Sequence, residues 1–199
     1  MSARERPSQS ETAADLMARL ESDPARVSRR HANEAERQAR TQALREAQQP
    51  ILADLAGAGY PVDSVWSLHK YGRYPDALPV LLKHLRRGGY PDRVMEGMAQ
   101  AFAVKWATPF WPALRDLYLV ADGPGEMEGL AAALRASVTT AYLDEMIALL
   151  DAEDRGDTRI LFLQPIKRLG KARGLEVVES LRDDSTFCQE AQRLLKKRS

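Results

Sequence analysis

Cysteine is almost missing: Cys188 stands alone among 199 residues. A single thiol builds neither a disulfide framework nor a cysteine-based zinc site. Histidine is scarce as well. His31, His69 and His84 are the three, and none has a second His, a Cys or paired carboxylates at metal-ligand spacing. No metal and no cofactor are therefore expected, and each of these side chains is expected to be structural, with His84 exposed or half-buried. Apolar runs are all too short to span a bilayer. The opening "MSARERPSQSE" has no apolar stretch of the kind a secretory signal carries. Charge of one sign is not in excess either: 29 Lys and Arg face 28 Asp and Glu, a formal net charge of +1. That balance gives no global pull towards nucleic acid or membrane.

Catalytic patterns are lacking too. The glycine pairs in "AGAGY" and "DGPGE" have no Lys-Ser/Thr ending and no preceding strand, so neither reads as a phosphate loop. No serine sits in a nucleophile elbow. Acid pairs such as Asp92 with Glu96, or Asp144 with Glu145, are ordinary on solvated helix faces. The expectation is a cytoplasmic protein that is not an enzyme, has no small-molecule substrate and does not meet a membrane.

What is present is helical punctuation. Tyr-Pro occurs three times, at Tyr60-Pro61, Tyr74-Pro75 and Tyr90-Pro91, and each is followed closely by an Asp: Asp63, Asp76 and Asp92. Proline has its φ fixed and has no N–H, so it suits the residues before a helix and its first turn. Asp accepts from the unpartnered N–H groups there. In "YPDALPV" the second proline, Pro79, sets the register. With Asp76 as cap it falls at the third helical position, where no intrahelical N–H bond is needed.

Apolar spacing agrees. Leu78, Leu81, Leu82 and Leu85 fall at i, i+3, i+4, i+7, as do Leu143, Met146, Ile147 and Leu150, and Phe162, Pro165, Ile166 and Leu169. Val94, Met98, Ala101 and Phe102, and Phe187, Ala191, Leu194 and Leu195, follow i, i+4, i+7, i+8. No segment alternates strictly over a strand's length, so the chain is expected to be all-α. Pro165 is read as mid-helix, where it removes one hydrogen bond and bends the helix. Residues 1–11 read as a disordered tail. A short helix follows over Thr12 to Glu21, and then Asp23-Pro24 opens an Ala/Arg/Glu/Gln-rich helical arm ending near residue 49. Val27 and Leu44 are the arm's only large apolar residues, so it is expected to be mostly solvated or to lie along a partner. The domain proper is placed at 50–199.

A repeat emerges inside that domain. "MEGMAQAFA" begins at Met95 and "MEGLAAALR" at Met127, 32 residues on. Gly97 and Gly129 occupy one repeat position, although glycine costs a helix about 1 kcal/mol relative to alanine. Both are therefore expected on the second helix of successive pairs, facing a neighbouring helix at short range. Four helix pairs of about 30 residues follow, with a shorter fifth over Ile51 to Lys70. This pattern resembles HEAT-type repeat proteins over Asp76 to Lys197, and more loosely over Pro50 to Tyr71. The tetratricopeptide and ankyrin signatures are absent. The resemblance implies a short right-handed α-solenoid of four to five antiparallel helix pairs, a curved scaffold that binds other macromolecules without catalysis.

Charge is uneven along this scaffold. From His69 to Lys105 seven bases face three acids; from Asp116 to Asp157 ten acids face two bases. The stretch "KWATPFWP" places Trp106, Phe110 and Trp111 together between two helices. Candidate partner-binding residues are Lys70, Arg73, Arg86, Arg87, Arg93, Lys105, Trp106 and Trp111; Trp66 is read as core. Another protein is the expected partner. Nucleic acid is the alternative, held by the basic section with a tryptophan as stacking platform. DNA glycosylases built from HEAT-like repeats belong to that class, but no base-excision residue carries over. An inhibitory partner of a toxin or an enzyme is a third reading.

Overall fold

The structure, a computed structural model, describes residues 24–196, with side chains from Arg26 onward. The expected tail, the helix over Thr12 to Glu21 and the Asp23 cap lie outside the described residues. Every regular element among the described residues is helical.

Helix α1 (Pro24–Gly57) opens on its proline, as the fixed φ favours, and runs through Pro50 without stopping. The break expected near Pro50 is therefore corrected. A proline in a helix interior forfeits one hydrogen bond, but Ile51 and Leu55, just beyond it, are fully buried and hold the helix in place. The chain divides into two compact units between Ala43 and Leu44, earlier than the expected boundary at 49/50. Leu44 packs against the core of the second unit, and Gln48 is buried in it. In the first unit, side chains 28–43 are all exposed.

The second unit continues with a 3-10 segment (Val65–Tyr71), α2 (Ala77–Arg87), α3 (Asp92–Gln100), a 3-10 segment (Lys105–Phe110), α4 (Trp111–Val120) and α5 (Pro124–Ser137). Then come α6 (Leu143–Ala148), a 3-10 stretch (Glu153–Phe162), α7 (Leu163–Ser180) and α8 (Cys188–Lys196). Successive elements pack together: α2 on α3, α3 on α5, α4 on α5, α6 on α7 and α7 on α8. Leu78, Leu81, Leu82 and Leu85 are buried in α2, as the spacing predicts.

Asp76 does hold the cap position of α2, and Pro79 is its third residue. The Asp76 side chain makes no capping bond, however. The first N–H groups, of Ala77 and Leu78, donate instead to the carbonyls of Tyr74 and Pro75, both at 3.2 Å. Pro165 also stands third in its helix rather than in the middle, because α7 begins only at Leu163. No bend is needed there. The break in α7 lies at Lys171, which adopts φ 52°, an uncommon conformation for a side chain with a Cβ.

Side-chain hydrogen bonds join residues 27–30 apart again and again. Tyr74 Oη donates to Ala101 O, 27 residues on; Asp54 accepts from Lys83 and His84, 29 and 30 on. Thr108 donates to Ser137 O, Arg115 bonds Glu145, Arg135 bonds Gln164 and Arg173 bonds Asp144, at separations of 29 or 30. Around the 3-10 stretch 153–162 the spacing lengthens. There Arg155 donates to Tyr118 O, 37 residues back, and Tyr118 meets Thr158 at 40.

Helices α3 and α5 cross at short range. A Cβ on Gly129 would lie 2.8 Å from Glu96 O and 2.9 Å from Ala99 Cβ. One on Gly97 would lie 2.7 Å from Val65 Cγ2 and 2.8 Å from the Trp66 ring. Gly129 thus meets a neighbouring helix, whereas Gly97 meets the 3-10 segment 65–71. Asp92, the first residue of α3, does not cap its own helix. Its carboxylate accepts from the N–H groups of Gly125 and Glu126 at 2.9 Å each, closing the start of α5.

Two predictions follow from this crossing. Gly129→Ala adds a methyl against backbone that has no rotamer to yield, so urea melts should show a loss of about 1–3 kcal/mol. An unchanged or raised midpoint would mean that the helices separate at little cost. Glu126 supplies the second. Burial first, and then Asp92 and Asp122, hold its carboxyl above the ordinary 4.5. A folded-state pKa above the unfolded one gives stability that is present in full below the unfolded value and lost as pH rises through the folded one. Glu126→Gln should therefore raise the melting temperature at pH 7 and leave it unchanged near pH 3.5; an equal gain at both pH values would contradict the titration.

Candidate aromatic groove

Gln48 is a buried side chain with three hydrogen bonds, and it positions the groove. Its Oε1 accepts from Val65 N–H and Ser64 Oγ at 3.0 Å each, while Nε2 donates to Leu44 O at 3.0 Å. Together these tie the 3-10 segment 65–71 to α1. Ser64 in turn accepts from Trp66 N–H at 3.4 Å. Gly72, at φ 68°, ends the segment and donates to His69 O.

Between this segment and α3 lies a groove of about 330 Å³. Val65, Trp66, Leu68 and His69 line it from the 3-10 segment, Gly97 and Gln100 from α3, and Tyr74, Ala103 and Val104 from the linkers. Tyr74 is buried, bonded to Ala101 O at 3.0 Å, and desolvation raises its pKa. Trp106 is half-buried and meets Tyr74 edge to face at 4.9 Å, so it backs the groove wall. His69 Nδ1 lies 2.7 Å from Trp66 O, which can only accept. The proton therefore sits on Nδ1, leaving Nε2 as the acceptor of the neutral ring. Trp66 is half-buried rather than core. The Arg93 guanidinium covers its ring at 4.1 Å while bonding Glu96 at 2.7 Å.

Of the residues singled out from the sequence, Lys70, Arg73, Arg86, Arg87, Arg93 and Lys105 are all exposed. Arg93 lies over Trp66. Lys70, Arg73 and Lys105 are next in sequence to the lining residues His69, Tyr74 and Val104 but do not line the groove themselves, and Lys70 faces Asp63 at 3.9 Å. Arg86 and Arg87 instead close the C-terminal turn of α2, where cations complement the helix dipole. Trp111 has to be corrected. It is fully buried, its Nε1 donates to Leu134 O at 3.2 Å, and it stacks on Tyr142 at 4.7 Å, so it presents nothing to a partner.

His84 is likewise not exposed. It is buried between Asp54 Oδ2, 3.1 Å from Nε2, and Tyr90 Oη, 2.6 Å from Nδ1. With Nε2–H donated to the carboxylate, Nδ1 accepts the tyrosine proton. Bonds from Lys83 and then His84 hold the Asp54 carboxyl below its ordinary value. This chain of groups joins α1, α2 and the Tyr90-Pro91 turn. Each member sits in a different element, so no short motif announces it. Among the described residues no group of three His, Cys, Asp or Glu side chains is placed to hold a metal ion. Nor is any described helix long and apolar enough to cross a membrane.

No family model matches the chain, and no curated protein or solved structure matches it either.

Gln48 is the residue on which the groove's geometry should fail. Gln48→Met keeps the volume but strands Val65 N–H and Ser64 Oγ, at a cost of about 1–3 kcal/mol. A lower melting temperature with a red-shifted tryptophan emission is expected, because Trp66 loses its mooring. Unchanged emission and stability would show that the segment is held without it.

Proposed function

We propose that the chain is a HEAT-like helical-repeat scaffold that binds another protein and does not catalyse a reaction. The repeat reading is supported by the many side-chain bonds between residues 27–30 apart, the signature of units that each touch the next. The binding reading is carried by one observation: an aromatic-walled groove whose lining residues His69, Tyr74 and Val104 each have an exposed cation next to them in sequence. A volume of about 330 Å³ lies at the small end of ligand pockets. It suits one anchoring side chain, the kind of contact that dominates protein interfaces. The neighbouring Lys70, Arg73 and Lys105 steer acidic groups towards it. The partner segment we propose is therefore acidic, with a single Leu, Phe or Trp as anchor.

Stacking of nucleic-acid bases fits this groove less well. One face of Trp66 is covered by Arg93, Trp106 is packed against Tyr74, and Trp111 is inside the core.

Selection from a random peptide display library tests the proposal. Selected peptides should carry Asp or Glu around one large apolar residue. Binding should fall at least tenfold in Arg73→Glu/Lys105→Glu while the fold is kept. Peptides without acidic residues, or peptides indifferent to that double variant, would sink it.

A further inference from the structure

Helix α1 carries a second surface, unrelated to the groove. At about 100° per residue, Arg26, Arg29, Arg30, Arg37 and Arg40 all fall within one sector of roughly 100°. Asn33 lies in the same sector. Glu34 and Glu36 fall just outside it, one on each side. Ser28, Ala32, Ala35 and Ala39 occupy the opposite face. All five arginines are exposed. Glu34 stands four residues after Arg30 and Glu36 four before Arg40, the spacing of helical ion pairs. Yet among the described residues Arg26, Arg30, Arg37 and Arg40 form no ion pair. Four of the seam's five cations are therefore not paired within their own helix.

We propose that this arginine seam docks on duplex nucleic acid through the phosphates. Three features favour that occupant. First, the cations are all arginine, whose planar fork binds phosphate bidentately where lysine offers only a point charge. Second, the seam runs about 21 Å along the helix, and so matches roughly six base pairs at 3.4 Å per step. A bare helix of this width also enters a major groove. Third, the segment has nothing apolar to contribute. Val27 is the one large apolar residue in 26–43. A membrane-lying helix needs an apolar face, and a protein interface needs aromatic or aliphatic anchors; this helix has alanine and serine in their place. What remains is charge, which phosphate backbones read without regard to sequence.

Fluorescence anisotropy of the full chain with a labelled 20-base-pair DNA duplex, from 50 to 200 mM salt, tests this. With four or five phosphates contacted, the logarithmic salt slope should lie near about −4. Arg30→Gln/Arg37→Gln/Arg40→Gln preserves helix propensity and should make the slope about 2.7 units shallower. Affinity at 50 mM should fall more than tenfold. Arg86→Gln/Arg87→Gln, on α2, should bind as the parent does. Circular dichroism establishes that each variant keeps its helix content. The proposal is overturned by absence of binding at 50 mM salt, by an unchanged slope in the triple variant, or by equal loss in the α2 pair. Competition by poly-glutamate as effective as competition by duplex would overturn it too, since a carboxylate partner would then serve as well.

Discussion

Asp92 begins one helix and closes another, and the second unit is arranged around that double role. Its two oxygens each take one N–H from the start of α5, so α3 cannot slide or turn relative to α5 without stranding both. Helix N-termini carry unpartnered N–H groups and a positive partial charge, and a carboxylate answers both needs. The glycines of "DGPGE" make room for it: a Cβ on Gly123 would lie 2.1 Å from Asp92 Oδ1, and one on Gly125 2.8 Å from Oδ2. A stretch that looks like an incomplete phosphate loop is thus a cradle for the chain's own carboxylate. One turn further along, Gly129 lets the two backbones touch. Helix α5 then packs against α4 and the 3-10 stretch 153–162, and so passes this placement to the rest of the unit.

The same accounting changes the meaning of the acidic section. Ten acids against two bases between residues 116 and 157 suggest a strongly negative surface. In the fold, Arg115, just before that window, bonds Asp116 and Glu145; Arg173, well after it, bonds Asp144. Arg155 pairs with Asp154 and also donates to the carbonyls of Tyr118 and Ala121. Window counting misses Arg115 and Arg173 because they lie outside the window, 30 and 29 residues from the acids Glu145 and Asp144 that they meet. The fold brings residues about 30 apart into contact, so charge along this chain has to be counted across elements distant in sequence.

The parts legible in the sequence share one property: they depend on neighbours within about four residues. Helical periodicity, the register of α2 set by Pro79, and the odd placement of Gly97 and Gly129 all have local causes. The misread parts depend on what another element supplies. Trp111 sits in a linker-like stretch beside Phe110 and looks available, but Leu134 O and Tyr142 reach it from 23 and 31 residues further along the chain. His84 lies between Lys83 and Leu85 like any amphipathic histidine; its burial comes from Asp54 and Tyr90, 30 residues before it and 6 after. Pro165 was read as mid-helix because a 3-10 stretch leads into α7 with the same apolar spacing. Apolar spacing alone does not separate the two kinds of turn. The groove was half legible: Trp66 and Trp106 stand out, but Gln48, which sets its wall, carries no signal in the sequence.

The groove and the arginine seam differ in how they convert structure into affinity. The groove holds an apolar anchor out of water, a contribution that salt leaves nearly intact, with cations adding speed and orientation. The seam has no apolar component, so its attraction consists of counterions released from phosphate and falls steeply as salt rises. The groove's walls come from the 3-10 segment 65–71, α3 and linker residues of the second unit, whereas the seam belongs to the part of α1 before residue 44, whose side chains bury almost nothing. Changing an arginine of the seam therefore leaves the core unaltered, while changing Gln48 or Gly97 alters the groove through the fold that makes it.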